Sequence, residues 1–254
     1  MLLESYLKEK TRQKEILLMT HVVLGYPSVD ECYRVIEAMV EAGVDLMELQ
    51  IPFSDPIADG PVILKANHEA LGQGSTVEDC LAFAEDVASR FDIPFFIMSY
   101  YNLVFKYGVR RFISVMAGSG LSGAIVPDLP PEEGAEYFAA MKHADLYPVV
   151  TFSPTTPTER MKFLATFGRG FVYCIARKGV TGQDTEFSIN LSEYLGRCRE
   201  GTDFPLALGF GVKGKADIDF LRGKVEIAVI GTQTIRVLES SGVESVGPFI
   251  KGLR

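Results

Sequence analysis

Eight short apolar runs punctuate the chain, at 16–25, 45–52, 94–100, 123–129, 147–153, 171–176, 205–211 and 226–231, with amphipathic stretches between them. No other feature restricts the fold as strongly. Runs of this length, several of them closed by Gly, Pro, Asp or Ser, predict strands of a parallel sheet, and the segments between them predict crossover helices. Helices are expected at 29–42 after Ser28, 77–89 after Thr76, 109–117, 132–142, 157–167, 191–199 and 216–221, several opening on an N-cap residue or an early proline. Eight alternations without a break in composition favour a closed (β/α)8, or TIM, barrel over a doubly wound sheet. The expectation is an α/β fold of one domain over 1–254, with an additional helix ahead of the first strand.

The 254 residues suit one such barrel, and 47% hydrophobic content suffices for its core. A net charge of -8 with no Lys/Arg cluster argues against a nucleic-acid surface, so small anions must be caught locally. Neither a signal peptide nor an apolar stretch of about 20 residues is present, which predicts a cytosolic protein. Cys32, Cys80, Cys174 and Cys198 lack C-x-x-C spacing, and His21, His68 and His143 form no i, i+4 pair. Neither a disulfide framework nor a metal site is expected.

Two connections exceed what a barrel needs, and both follow strand C-termini, the face where such folds place chemistry. One runs over 52–75 and contains a helical piece at 61–71. The other, 177–188, holds Lys178, Gly179, Thr181 and Gly182 and suits a lid. In the second run Leu46, Glu48 and Gln50 share one face, while Asp45, Met47, Leu49 and Ile51 share the other. Glu48 therefore points into an interior. A buried carboxylate is costly, and it is either held in a structural hydrogen-bond network or kept for chemistry. Gly209-Phe210-Gly211 ends the seventh run and Gly231-Thr232 the eighth, opening a short helix. Backbone N–H groups after strands seven and eight form the usual phosphate cradle of barrel enzymes.

The segment from Glu48 to Pro61, ELQIPFSDPIADGP, together with Leu24-Gly25-Tyr26-Pro27, Tyr100-Tyr101-Asn102, Pro127-Asp128-Leu129-Pro130, Arg177 to Gly182, Gly209-Phe210-Gly211 and Gly231-Thr232, resembles the tryptophan synthase α family from about Tyr6 to the C-terminal helix. The resemblance implies cleavage of indole-3-glycerol phosphate to indole and glyceraldehyde 3-phosphate. Glu48 would act as general acid and base, protonating indole C3 and relaying the proton of the side-chain hydroxyl as the carbon–carbon bond breaks. Asp59 would hold the indole N–H and stabilise charge developing at nitrogen, in surroundings more polar than those of Glu48. Tyr100, Tyr173 and Phe210 would line the indole pocket, although barrel aromatics also serve as core filling. Thr181 would close the lid over Asp59, and Gly182, Gly211, Gly231 and Thr232 would bind phosphate. The family needs no cofactor of its own and docks on a pyridoxal-phosphate β subunit as an αββα assembly. Pro52, Phe53 and Asp55 and the loop from Asn102 to Phe105 would form the contact, with Phe53 and Phe105 as exposed anchors.

Three positions depart from the family pattern. Gln50 stands where the family usually has Gly, beside Glu48 on the same strand face, where it could fill indole space or tie up Glu48. That substitution motivates a second expectation, a weakly catalytic α subunit acting mainly as an allosteric partner. His21 lies near the end of the first strand, where some relatives put an aromatic or small apolar residue facing the indole, and it reads equally as a hydrogen-bonded histidine at the barrel top. Thr232 replaces a usual Ser. A third expectation, a Schiff-base aldolase or another phosphate-binding barrel, rests on Lys178 alone, which follows its strand and reads better as a solvated loop lysine.

Overall fold

The computed structural model describes residues 2–175, 189–209 and 211–254. Among them eight parallel strands close into a barrel in sequence order, β1 pairing with β8. The strands are β1 Leu17–Val23, β2 Leu46–Gln50, β3 Phe95–Met98, β4 Gly123–Ile125, β5 Tyr147–Phe152, β6 Val172–Ile175, β7 Leu206–Gly209 and β8 Ile227–Ile230. Each lies within the predicted run. Together with the surrounding helices they make a TIM barrel.

Period-2 alternation divides the core in two. Leu17, Met19, Leu46, Phe96, Ile125, Val149, Tyr173, Ala207, Ile227 and Val229 fill the barrel interior, while Leu18, Met47, Leu49, Ile97, Val150 and Leu208 pack outward against helices. Helix α1, Leu3–Gln13, contributes Leu3, Tyr6 and Leu7 to the interior cluster and so closes the amino-terminal end of the barrel. Its anchors are hydrogen bonds from the Tyr6 hydroxyl to the Asp45 carbonyl (2.7 Å) and from the Leu3 N–H to the Tyr147 hydroxyl (3.1 Å).

Helix α2, Val29–Glu41, starts where Ser28 accepts the Glu31 N–H, and α4, Val77–Arg90, opens on a capping box formed by Thr76 and Asp79. Between β2 and α4 lies α3, Pro61–Gly72, with proline at its first turn. The expected loop around Asn102 to Phe105 is instead a helix, α5, Tyr101–Tyr107. Its sequence carries no capping side chain before it. The cap arrives from elsewhere, because the Asp128 carboxylate accepts the Tyr101 N–H at 2.9 and 3.1 Å. The helix expected from 132 begins only at Ala135 (α7, Ala135–His143), after a turn through Pro130, Pro131 and Gly134.

Helices α6 (Val109–Gly118), α8 (Thr158–Ala165), α9 (Ile189–Gly201) and α10 (Lys215–Leu221) follow the remaining predicted segments closely. Helix α11, Thr232–Ser241, then runs straight out of β8, and α12, Val246–Lys251, follows it. The four cysteines are buried and unbridged, and among the described residues no helix is long and apolar enough to cross a membrane.

Candidate active site

Strand β2 delivers Glu48 and Gln50 into the carboxyl-terminal mouth of the barrel, both fully buried. Parallel pairing sets His21 of β1 level with Glu48. The His21 Nδ1 lies 2.8 Å from Glu48 Oε1, and the Tyr173 hydroxyl donates to the same oxygen at 3.3 Å. Glu48 Oε2 is buried and has no hydrogen-bond partner among the described residues. One carboxylate oxygen is thus held and the other is left for something else, an arrangement that a purely structural acid rarely tolerates.

Asp59 comes from the irregular stretch between β2 and α3 and is just as buried. Its Oδ2 accepts from the Gln50 side-chain amide at 2.7 Å and from the Tyr100 hydroxyl at 3.0 Å. The Tyr100 hydroxyl in turn accepts the Ala58 N–H at 3.1 Å, which fixes the backbone beside Asp59. Burial pushes the Asp59 carboxyl above its ordinary value. Charged His21, the Gln50 amide and the Tyr100 hydroxyl oppose that rise, and the Glu48 charge adds to it. Burial alone would lower His21, but the charge and hydrogen bond of Glu48, with help from Asp59 and Gln50, outweigh it and hold the ring above its ordinary value. Both tyrosine hydroxyls are pushed well up, chiefly by burial, so they remain donors at any working pH.

The expected contrast between the two acids does not appear. Asp59 is no more solvated than Glu48 and is distinguished by its two donors instead. Gln50 is also corrected: its amide nitrogen donates to Asp59 and, at 3.4 Å, to Asn67, and no hydrogen bond joins it to Glu48 among the described residues. The hydrogen-bonding motive for an impaired α subunit therefore falls away.

Asn67 escaped the sequence reading. Its carbonyl oxygen also takes the Phe53 N–H (2.9 Å) while its amide donates to the Ile63 carbonyl (2.8 Å), so it braces the loop that carries Asp59. A signal was present, since Ile63, Ala66, Asn67 and Ala70 form the buried stripe of α3 and Asn67 is the polar member. Gly209 was assigned to the phosphate motif, yet a Cβ there would collide with the Tyr173 ring and hydroxyl. The missing side chain is what lets Tyr173 reach Glu48.

Gly211 adopts a positive φ of 138°, and Gly231 is the N-cap of α11. Leu208 pairs with Ala228 on the adjacent strands, each three residues before its glycine, so the two turns stand side by side at the same rim. Thr232 is half-buried at the first position of α11. Thr181, Gly182, Phe210 and Lys178 lie outside the described residues.

Of the proposed contact surface, Asp55 and Asn102 are exposed and Phe105 is 69% exposed. Pro52 is buried, and Phe53 is not the exposed anchor expected of it. Its ring stacks on Tyr100 at a centroid distance of 5.3 Å, and its backbone is tied to Asn67. In its place Ile57, 72% exposed in the same loop, presents the apolar side chain.

The family described as tryptophan synthase alpha chain matches residues 7–246. Tryptophan synthase alpha chains from Desulforapulum autotrophicum and Syntrophotalea carbinolica are 60% and 57% identical, over 99% and 100% of this chain and the whole of each relative. A solved Mycobacterium tuberculosis tryptophan synthase chain superimposes with a TM-score of 0.92 at 30% identity, covering 99% of this chain and 96% of that one. With two buried carboxylates at the mouth of a barrel whose last two strands end in paired glycine turns, and with similarity running nearly end to end, the chain belongs to the tryptophan synthase alpha chain family.

Proposed function

We propose that this chain splits indole-3-glycerol phosphate into indole and glyceraldehyde 3-phosphate, as a carbon–carbon lyase of tryptophan biosynthesis, with Glu48 and Asp59 as its chemical pair. The Oε2 of Glu48 carries the assignment, because among the described residues it is a buried, unsatisfied carboxylate oxygen at the catalytic face of the barrel. Glu48 protonates indole C3 and afterwards removes the proton of the side-chain hydroxyl. The C–C bond electrons then restore the indole ring while the aldehyde forms. Asp59, held by Gln50 and Tyr100, faces the ring nitrogen, where positive charge develops. Tyr100, Tyr173 and Phe210 line the indole slot, with Thr181 closing over it.

Gly182, Gly211, Gly231 and Thr232 take the phosphate. The half-exposed N-terminus of the ten-residue helix α11 beside the Gly211 turn supports that role. The partner is a pyridoxal-phosphate β subunit in an αββα assembly, met by Asp55, Asn102 and the exposed Phe105, with Pro52 and Phe53 supporting the loop from beneath. A solved Pyrococcus furiosus tryptophan synthase complex, TM-score 0.86 at 26% identity, is consistent with such a partner. The chain itself needs no cofactor. Steady-state cleavage of indole-3-glycerol phosphate, with and without a tryptophan synthase β subunit, tests the proposal. Turnover that rises with β subunit is expected, and no indole release under either condition would overturn it.

A further inference from the structure

The ring of His21 is fully buried, lies 2.8 Å from Glu48 and has no counterpart role in the chemistry described so far. Its placement is built rather than incidental. The β1–β2 register sets the two residues level, and the wall on the other side is Gly231, between β8 and α11, where a Cβ would already stand 3.3 Å from the His21 Cβ. Among the described residues the groups facing His21 are Glu48 and Gln50 from β2, Asp59 from the following loop and Tyr173 from β6, and none of these is a cation. His21 Nε2 and Gln50 Oε1 are buried without a hydrogen bond of ordinary geometry among the described residues, although the Gln50 side chain still favours the charged ring. A buried site facing two carboxylates and containing one imidazole is electrostatically balanced best when that imidazole is protonated.

We propose that His21 is the proton store of the lyase site: together with Glu48 it holds the single acidic proton that starts the reaction and receives it back at the end. This rests on the assignment of Glu48 as acid and base. Beyond the Nδ1–H that bonds Oε1, the pair holds one acidic proton: at rest it makes the ring an imidazolium beside a carboxylate, and in the reacting form it sits on Glu48 Oε2 beside a neutral ring. Delivery to indole C3 from the carboxyl group leaves neutral imidazole and a carboxylate. That carboxylate takes the hydroxyl proton as the C–C bond breaks, and the pair ends with the proton it began with, so no external acid is consumed. Because the imidazole holds Oε1, the unpartnered Oε2 is the oxygen that meets the substrate. His21 is therefore a positioning residue that acts through Glu48. It keeps the acidic proton available at a pH where an isolated carboxylic acid would have lost it.

The test combines NMR with kinetics on the wild type, His21→Gln, His21→Phe and Glu48→Gln. In 15N-histidine spectra of the full chain, the His21 ring is expected to titrate above 6.5 in the wild type and to move down in Glu48→Gln. The alkaline limb of the pH profile of kcat is expected to move down by about one unit or more in both His21 variants. Glutamine keeps a donor without a titrating proton, so a shift shared by Gln and Phe isolates the proton from the packing. A ring that is neutral at pH 6 in the wild type overturns the proposal. So does an alkaline limb that stays fixed while kcat falls uniformly in both variants. A high-titrating ring combined with full activity in Glu48→Gln would instead overturn the assignment of Glu48 as the acid, which keeps the two failures apart.

Discussion

Asp45, just before β2, and Glu48, at its centre, sit three residues apart and both are buried, at 1% and 3% exposure, yet the molecule treats them in opposite ways. Asp45, at the amino-terminal end of the barrel, has every acceptor taken. Lys14 pairs with one oxygen, while the other accepts from Arg254 (2.6 Å) and from the Leu18 N–H (3.0 Å). It ties α1, β1 and the last residue of the chain together. Among the described residues Glu48 has a single imidazole partner and a weaker phenol contact, both on one oxygen, and nothing on the other. A saturated acid is a structural tie, and an unsaturated one at the loop-bearing mouth is poised for substrate. Burial alone would not have separated them; the satisfaction of their lone pairs does.

The comparison is broken most directly by neutralising each acid in turn. Glu48→Gln keeps the shape and is expected to lower kcat by roughly 10²- to 10⁴-fold with little change in unfolding midpoint. Asp45→Ala should do the converse. Its partners Lys14 and Arg254 are 28% and 31% exposed and regain water, so the loss of stability is expected at about 1–3 kcal/mol rather than the larger cost of stranding a deep charge, with kcat per folded molecule unchanged. Urea unfolding beside an indole-release assay reads both. An Asp45 variant that folds fully but loses turnover would erase the distinction.

Tyr100→Phe sharpens the contrast within the mouth itself. Asp59 loses one of its two donors and the Ala58 N–H loses its acceptor, and kcat/KM should drop about 10-fold. Gln50→Gly should likewise reduce activity, since it removes the other donor. A gain of orders of magnitude would restore the impaired-subunit reading.

The smallest effect is on stability against pH. His21 and Asp59 are both held above their ordinary values of 6.5 and 3.8, so the folded state binds more protons than the unfolded chain. Their contribution is complete below those ordinary values and is lost as pH rises through the folded ones, with a slope of at most about 1.4 kcal/mol per pH unit for one proton. Asp45 resides in a saturated cluster remote from both, so Asp45→Ala should leave that slope intact while His21→Phe removes its upper part. Denaturant midpoints taken from pH 5 to 9 measure it. An unchanged slope in His21→Phe would indicate a neutral ring.

Much of this architecture was legible beforehand because it depends on local periodicity. Strand β2 reads as interior on the Leu46, Glu48 and Gln50 face because side chains alternate, and both core layers follow that alternation. The helix opening at Thr76 was legible because its capping groups are neighbours in sequence. Helix α5 was not, since its cap is Asp128 on another loop, and Phe53 was misjudged because its stacking partner, Tyr100, comes from a different strand end. Gln50 was placed on the correct face but given the wrong neighbour. A side chain that long reaches past the residue beside it, to an acid nine positions on.

The order of strands, the closed barrel and the acids that face inward are therefore properties of the sequence, fixed by hydrophobic periods that any segment carries with it. Which acid is saturated and which, among the described residues, is left with a free oxygen, why Gly209 lacks a side chain, and that His21 comes within 2.8 Å of Glu48 were decided only when separate strands came level. Hydrogen-bond satisfaction and electrostatic coupling act over a few ångströms of space, and the chain brings those ångströms together only after the barrel has closed.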